Sequence, residues 1–213
     1  MSMGRIGALR LAVPLLVGIF AGLSTAVAAA SVTDAVALYR QKRFPEARAI
    51  LEPLVAAQPS DPAATYYLGM ACLRAGGPAS LDEARHWLGR AVKLAPDDAR
   101  YLADYAGVCL LTADRDNSLS YALEGKDAMV RAIAVNPRDL SAREGLMEFY
   151  AKAPWPLGDP GKALSLAAGI AALDPGRGAA AYRKAASIFE AHGLAEQART
   201  ASQAAQNLAP GHS

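Results

Sequence analysis

Residues 44–59 read Phe44-Pro45-Glu46-Ala47-Arg48-Ala49-Ile50-Leu51-Glu52-Pro53-Leu54-Val55-Ala56-Ala57-Gln58-Pro59. Ala47, Leu51, Leu54 and Val55 recur at the three- and four-residue steps of one helical face. Pro59 stands twelve positions after Ala47, about three helical turns on, where a proline cannot continue a helix. The same interval, a small residue and then Pro twelve positions later, returns as Ala84/Pro96, Gly125/Pro137, Ala163/Pro175 and Ala198/Pro210. The prolines are 37, 41, 38 and 35 residues apart. Between these intervals lie Ala63 to Arg74, Arg100 to Leu111, Leu140 to Lys152 and Ala179 to Ala191, each amphipathic in turn. Each repeat is therefore expected to be a pair of helices.

Composition agrees. Of 213 residues 49 are Ala, and Val, Ile and Thr are few, so the chain favours helix over strand. A 53% hydrophobic content with a formal net charge of only +2 supports a folded core and argues against disorder. Two Cys and three His exclude a disulfide-rich scaffold and a Cys/His zinc module.

The recurring residues resemble the tetratricopeptide repeat, whose period is about 34. The likeness is carried by Phe44-Pro45-Glu46-Ala47 with Leu51, Leu54 and Pro59, and by Tyr67-Leu68-Gly69 with Asp82-Glu83-Ala84, Leu88, Ala91 and Pro96. Met129, Ala132, Asn136 and Pro137 continue it, as do Leu146, Tyr150, Ala163, Ile170 and Pro175, then Ala198, Ala205 and Pro210. The resemblance implies an all-α, right-handed α-α superhelix of about five helix pairs, with units near 31–60, 61–97, 98–138, 139–176 and 177–211. Small residues let helices approach closely, and stacked pairs bury a core that no pair could bury alone. Spacing in excess of the nominal period places insertions at Gly76-Gly77-Pro78, around Thr112 to Glu124, and at Pro154 to Gly161. The segment Ala142-Arg143 to Tyr150, Ala153-Pro154 and Gly161-Lys162-Ala163 is similar to a subset of exported tetratricopeptide proteins without an assigned catalytic activity.

Residues 1–30 are of another kind. Arg5 and Arg10 precede the uncharged run Leu11 to Ala30, which ends Ala26-Val27-Ala28-Ala29-Ala30. A basic start, an apolar stretch and small residues before a cleavage point make a secretory signal peptide, cleaved after Ala28 or after Ala30. An uncleaved anchor facing the periplasm is the alternative, since the run could span a bilayer. No Cys follows it, so a lipid-anchored form is not expected. Either way the remaining chain is expected outside the cytoplasm, in a bacterial periplasm or secreted. The two arginines account for the whole basic excess, and the remainder lacks the basic surplus of a nucleic-acid binder.

No catalytic constellation stands out, and no enzyme, cofactor or metal is expected. Gly158 to Lys162 ends in Gly-Lys, but Pro156 and Ala163 occupy positions where a phosphate loop needs Gly and Ser or Thr. His86, His192 and His212 lack metal-ligand spacing. Cys72 and Cys109 fall at equivalent places in neighbouring first helices, whose roughly 8–10 Å separation exceeds the reach of a disulfide, so two unpaired buried thiols are expected. Glu144 and Glu148, one turn apart and followed by Lys152, form either an ion-paired face or the carboxylate pair of an envelope hydrolase or transferase.

What remains is a binding surface. In tetratricopeptide proteins the first helix of each pair lines a concave groove. Carried over by phase, the resemblance puts Tyr39, Arg40, Tyr66, Met70, Arg74, Arg100, Glu144, Glu148, Lys152 and Tyr182 on it. Trp155, between Pro154 and Pro156, is a further anchor candidate. The set implies a protein or peptide ligand with acidic character near units one to three. The Lys/Asn pattern of the groove that clamps a C-terminal carboxylate is not reproduced. Three roles stay open: an interaction scaffold, a chaperone-like assembly factor holding an exported client in cytochrome or cell-wall biogenesis, and a self-associating structural protein.

Overall fold

The computed structural model describes residues 30–77, 79–154 and 156–208, and nothing below concerns the others. The described residues form ten α-helices and no strand: α1 (Val32–Arg40), α2 (Phe44–Ala57), α3 (Pro62–Ala75), α4 (Ser80–Leu94), α5 (Ala99–Asp116), α6 (Leu119–Val135), α7 (Leu140–Lys152), α8 (Pro160–Leu173), α9 (Pro175–Ala191) and α10 (Ala195–Asn207). No described helix is long and apolar enough to cross a membrane.

The helix starts follow from local chemistry. Ser31 closes a capping box with Asp34 at the head of α1. Asp61, Asp98, Asp139 and Asp174 cap α3, α5, α7 and α9, each carboxylate accepting first-turn N–H groups that have no partner within the helix. The repeat thus reads Pro, one intervening residue, and an Asp cap at units two to four. Unit five departs from it. Asp174 ends α8 and caps α9 at once, so Pro175, two residues past the end of α8 as Pro59 is past α2, also opens the next helix.

Consecutive helices pack as antiparallel neighbours, and first helices also meet one another as α1 against α3, α5 against α7, and α7 against α9. The result is a superhelix of stacked pairs. Ala47, Ala84 and Ala163 are wholly buried, and Ala198 and Gly125 nearly so, which places all five small positions of the repeat at helix crossings. A Cβ on Gly69 would stand 2.9 Å from Leu88 Cγ and 3.1 Å from Leu88 N, so α3 and α4 touch there almost backbone to backbone. Leu51, Leu68, Leu88, Leu102, Met147, Ile170 and Phe189 fill the intervening space.

Arginines fasten the turns. Arg90 Nη2 donates to the Pro59 carbonyl at 2.6 Å, and Arg131 Nη2 to the Pro96 carbonyl at 3.1 Å. Each links the second helix of one unit to the proline turn of the unit before it. Arg143 holds the Pro137 carbonyl through Nε and Nη2 at 3.0 and 2.6 Å.

The insertion around Thr112 to Glu124 is helix rather than loop. It lengthens α5 to 18 residues and α6 to 17, against 13–15 in units two and four, with the turn at Asn117 in left-handed backbone (φ 49°). Ala113, Arg115, Leu119 and Leu123 continue the helices well, and Arg115 pairs with Asp82 of α4 at 2.8 Å.

Candidate functional site

The first helices bring an aromatic and cationic set together at units one to three. Tyr66 of α3 stacks on Tyr101 of α5 with ring centroids 4.2 Å apart and planes 12° apart. Tyr67 meets Tyr66 edge-on at 5.1 Å and Tyr39 at 5.6 Å, and Tyr39 meets Phe44 at 5.3 Å. The Arg100 guanidinium lies 4.8 Å from the Tyr66 centroid and 5.4 Å from that of Tyr101, within the range of a cation–π contact. Tyr66 is only 4% exposed. Its hydroxyl donates to Asp104 of α5, and burial with that contact pushes the phenol well above its ordinary range. Burial also raises the Asp104 carboxyl, against the Tyr66 hydrogen bond and the nearby Arg100 and Arg74, which lower it.

These contacts sort the residues expected in the groove. Tyr66 and Met70 are core, and they shape the floor. Tyr39 is half-buried against Tyr67, while Arg40, Arg74 and Arg100 are exposed, Arg100 lying over that floor. Tyr182 of α9 is half-buried against the core of units four and five. Trp155 and the segment 1–29 lie outside the described residues. Tyr101, Tyr67 and Asp104 belong to the same set but were not anticipated. Asp104 lies 38 residues from its partner Tyr66, and only the fold brings them together.

At unit four, Glu144 and Glu148 are held by α9. Arg177 donates to both Glu144 oxygens at 2.8 Å, from Nε and Nη2. Lys184 bonds Glu148, whose other oxygen is 3.8 Å from Lys152. This is an ion-paired face tying two first helices. Nothing in it pairs the two carboxylates for acid and base roles.

Between α5, α6 and α7 the first-helix face opens into a cleft of about 750 Å³. Gly107 leaves its wall bare, as a Cβ there would meet nothing within 4 Å. Leu110, Leu111, Leu119, Met129, Phe149 and Leu157 give it an apolar lining. Asp104, Asp114, Glu144 and Glu148 line it together with Lys152, the single cation among the described lining residues.

The other chemical features are structural. Cys72 and Cys109 are buried and free, and burial pushes their thiols up to about 11 and about 12. At the Gly-Lys turn, the Asp159 carboxylate accepts the Lys162 N–H at 3.0 Å and takes the donor that an anion would need. His192 ends α9, its Nδ1 2.8 Å from the Ile188 carbonyl, with Gly193 following at φ 73°. Among the described residues no group of three or more His, Cys, Asp or Glu is placed to hold a metal.

Residues 33–99 match the family model of the tetratricopeptide repeat. Among solved structures, the crystal structure of MamA superposes with a TM-score of 0.66 at 20% identity, covering 84% of this chain and 95% of that one. YrrB, described as a TPR protein with an unusual peptide-binding site, gives 0.66 at 20% identity over 85% of this chain and 86% of its own. TTC0263, a thermophilic TPR protein in Thermus thermophilus, gives 0.57 at 20% over 84% and 90%. At these identities the likeness is one of fold. No curated protein matches the chain.

Proposed function

We propose that this chain, a tetratricopeptide repeat protein, is a non-catalytic scaffold of the bacterial cell envelope that holds a protein or peptide partner on its first-helix face. One observation carries the reading. Arg100 is set over Tyr66, Tyr67 and Tyr101, with exposed Arg74 two turns along α3 from Tyr66, on a floor fixed by stacking and by the Tyr66–Asp104 hydrogen bond. Arginines held over aromatic rings present their outer N–H groups to a carboxylate at small entropic cost. The partner at units one to three is therefore acidic. The peptide-binding site named for YrrB, a protein of the same fold, supports the reading.

The test is affinity purification from the organism's own envelope extract with the wild-type chain and with Arg74→Glu/Arg100→Glu. Both side chains are exposed, so the variant leaves the core intact, whereas Tyr66→Ala would open it. The account expects one or more proteins to be retained by the wild type and lost from the variant. Identical partner sets would sink the groove assignment. Retention of the chain's own copies alone would favour the self-associating role.

Export belongs to the same proposal and rests on Arg5, Arg10 and the uncharged run Leu11 to Ala30. The N-terminus of the protein recovered from the envelope tests it. Ala29 or Ser31 at the start indicates cleavage, Met1 in a membrane fraction the anchored alternative, and recovery from the cytoplasm refutes export.

A further inference from the structure

We infer that the cleft between α5, α6 and α7 is a second docking site, for a partner segment carrying leucine-like side chains beside a lysine or arginine. The inference deepens the scaffold reading and rests on it. Its chemistry differs from that of the arginine-topped floor at units one to three.

The apolar half of the argument comes from the lengthened helices. Leu111 stands just before the extra turn of α5 and Leu119 opens the lengthened α6, and they are 52% and 59% exposed. These two exceed every other exposed large apolar residue among the described ones, and both stand in the cleft lining rather than scattered over the surface. Single exposed leucines are ordinary, but two converging on a preformed concavity are a binding feature.

The charged half fixes the partner's sign. Of the four acidic side chains in the described lining, Asp104 is bonded to Tyr66 and Glu144 and Glu148 are ion-paired, which leaves Asp114 to set the sign. Arg177 and Lys184 reach Glu144 and Glu148 from α9, which lies on the far side of α7 from α5. Asp114 is exposed, one turn beyond Leu110, and makes no ion pair among the described residues. A lysine or arginine beside the apolar anchors would meet Asp114 at the rim, while an acidic segment would be repelled. The first-helix face thus offers two chemistries, Arg100 over the tyrosines and Asp114 at the rim of the apolar cleft.

The experiment titrates the full chain against three fluorescently labelled synthetic peptides. They share a leucine repeat spaced for one helical face and differ in carrying lysine, glutamate or glutamine between the leucines. The lysine peptide is expected to bind at least about tenfold more tightly than the glutamate peptide at low salt, with the gap narrowing as salt is added. Leu111→Ser/Leu119→Ser, both exposed positions, should weaken the lysine peptide about tenfold with an unchanged helical circular dichroism spectrum. Asp114→Lys should narrow the preference for lysine over glutamate. Equal binding of all three peptides, or an affinity untouched by both variants, overturns the inference. So does a dimer, seen by light scattering, that the double serine variant abolishes, since a second copy would then occupy the cleft. The Arg74→Glu/Arg100→Glu purification is independent of these readings. Loss of partners there without peptide binding here leaves the scaffold reading standing and removes the cleft site alone.

Discussion

The Tyr66 hydroxyl, on the first helix of unit two, donates to the Asp104 carboxylate on the first helix of unit three, and both groups are largely withdrawn from water. Burial raises the Asp104 carboxyl above its ordinary value of 3.8, so folding favours its protonated form. The stability this confers is complete below the unfolded-state value and is lost as pH rises through the folded-state one. Asp104→Asn cannot ionise, and its amide oxygen still accepts from Tyr66. Urea unfolding of both proteins at about pH 4 and about pH 7 should therefore show wild type losing ground to the variant at the higher pH. A difference that does not change with pH would remove the buried carboxyl from the account.

Two glycines in helix interiors should respond in opposite directions. A Cβ on Gly178 would lie 2.3 Å from Ala171 Cα and Cβ, so Gly178→Ala forces α8 and α9 apart and should cost about 1–3 kcal/mol. Gly107 faces the open cleft with nothing within 4 Å, and Gly107→Ala should instead gain roughly 0.5–1 kcal/mol from helix propensity. Chemical denaturation of the pair checks the packing of units four and five and the openness of the cleft together.

The Arg177–Glu144 bridge is bidentate, yet its side chains are 40% and 31% exposed. A double-mutant cycle with Glu144→Gln and Arg177→Gln should give a coupling of roughly 0.2–1 kcal/mol that shrinks with added salt. A larger, salt-insensitive coupling would mean that this joint between first helices is drier than its exposure implies.

Neither thiol should react while the protein is folded. Intact-mass analysis after iodoacetamide treatment is expected to show no adduct on the native chain and adducts on both Cys72 and Cys109 in urea, without any reductant. A need for reductant would reveal a disulfide.

The repeat architecture was legible because its marks are backbone constraints. Ala47, Ala84, Gly125, Ala163 and Ala198 are small where helices cross, and a proline follows each at a fixed distance because a helix must stop. Periodicity gives the face on which a side chain lies but not its depth. Tyr66 shares a face with Arg74 yet sits in the core, because Tyr101 and Asp104 from the next unit close over it. The residues that organise the site sit about one repeat from their partners, as Arg177 does from Glu144 and Arg90 from Pro59, and no local pattern announces such a pair. The excess spacing around Thr112 to Glu124 announced extra residues. It did not disclose that they would extend two helices and turn Leu111 and Leu119 toward a cleft.

Site-directed photo-crosslinking in living cells tests the central claim most directly. A benzophenone amino acid would replace Arg74 or Arg100 on the first-helix face, and Lys93 or Val130 on second helices, all four being exposed. The account predicts a partner adduct from positions 74 and 100 and none from 93 and 130. Adducts from 93 and 130 alone, or equally from both faces, would contradict it.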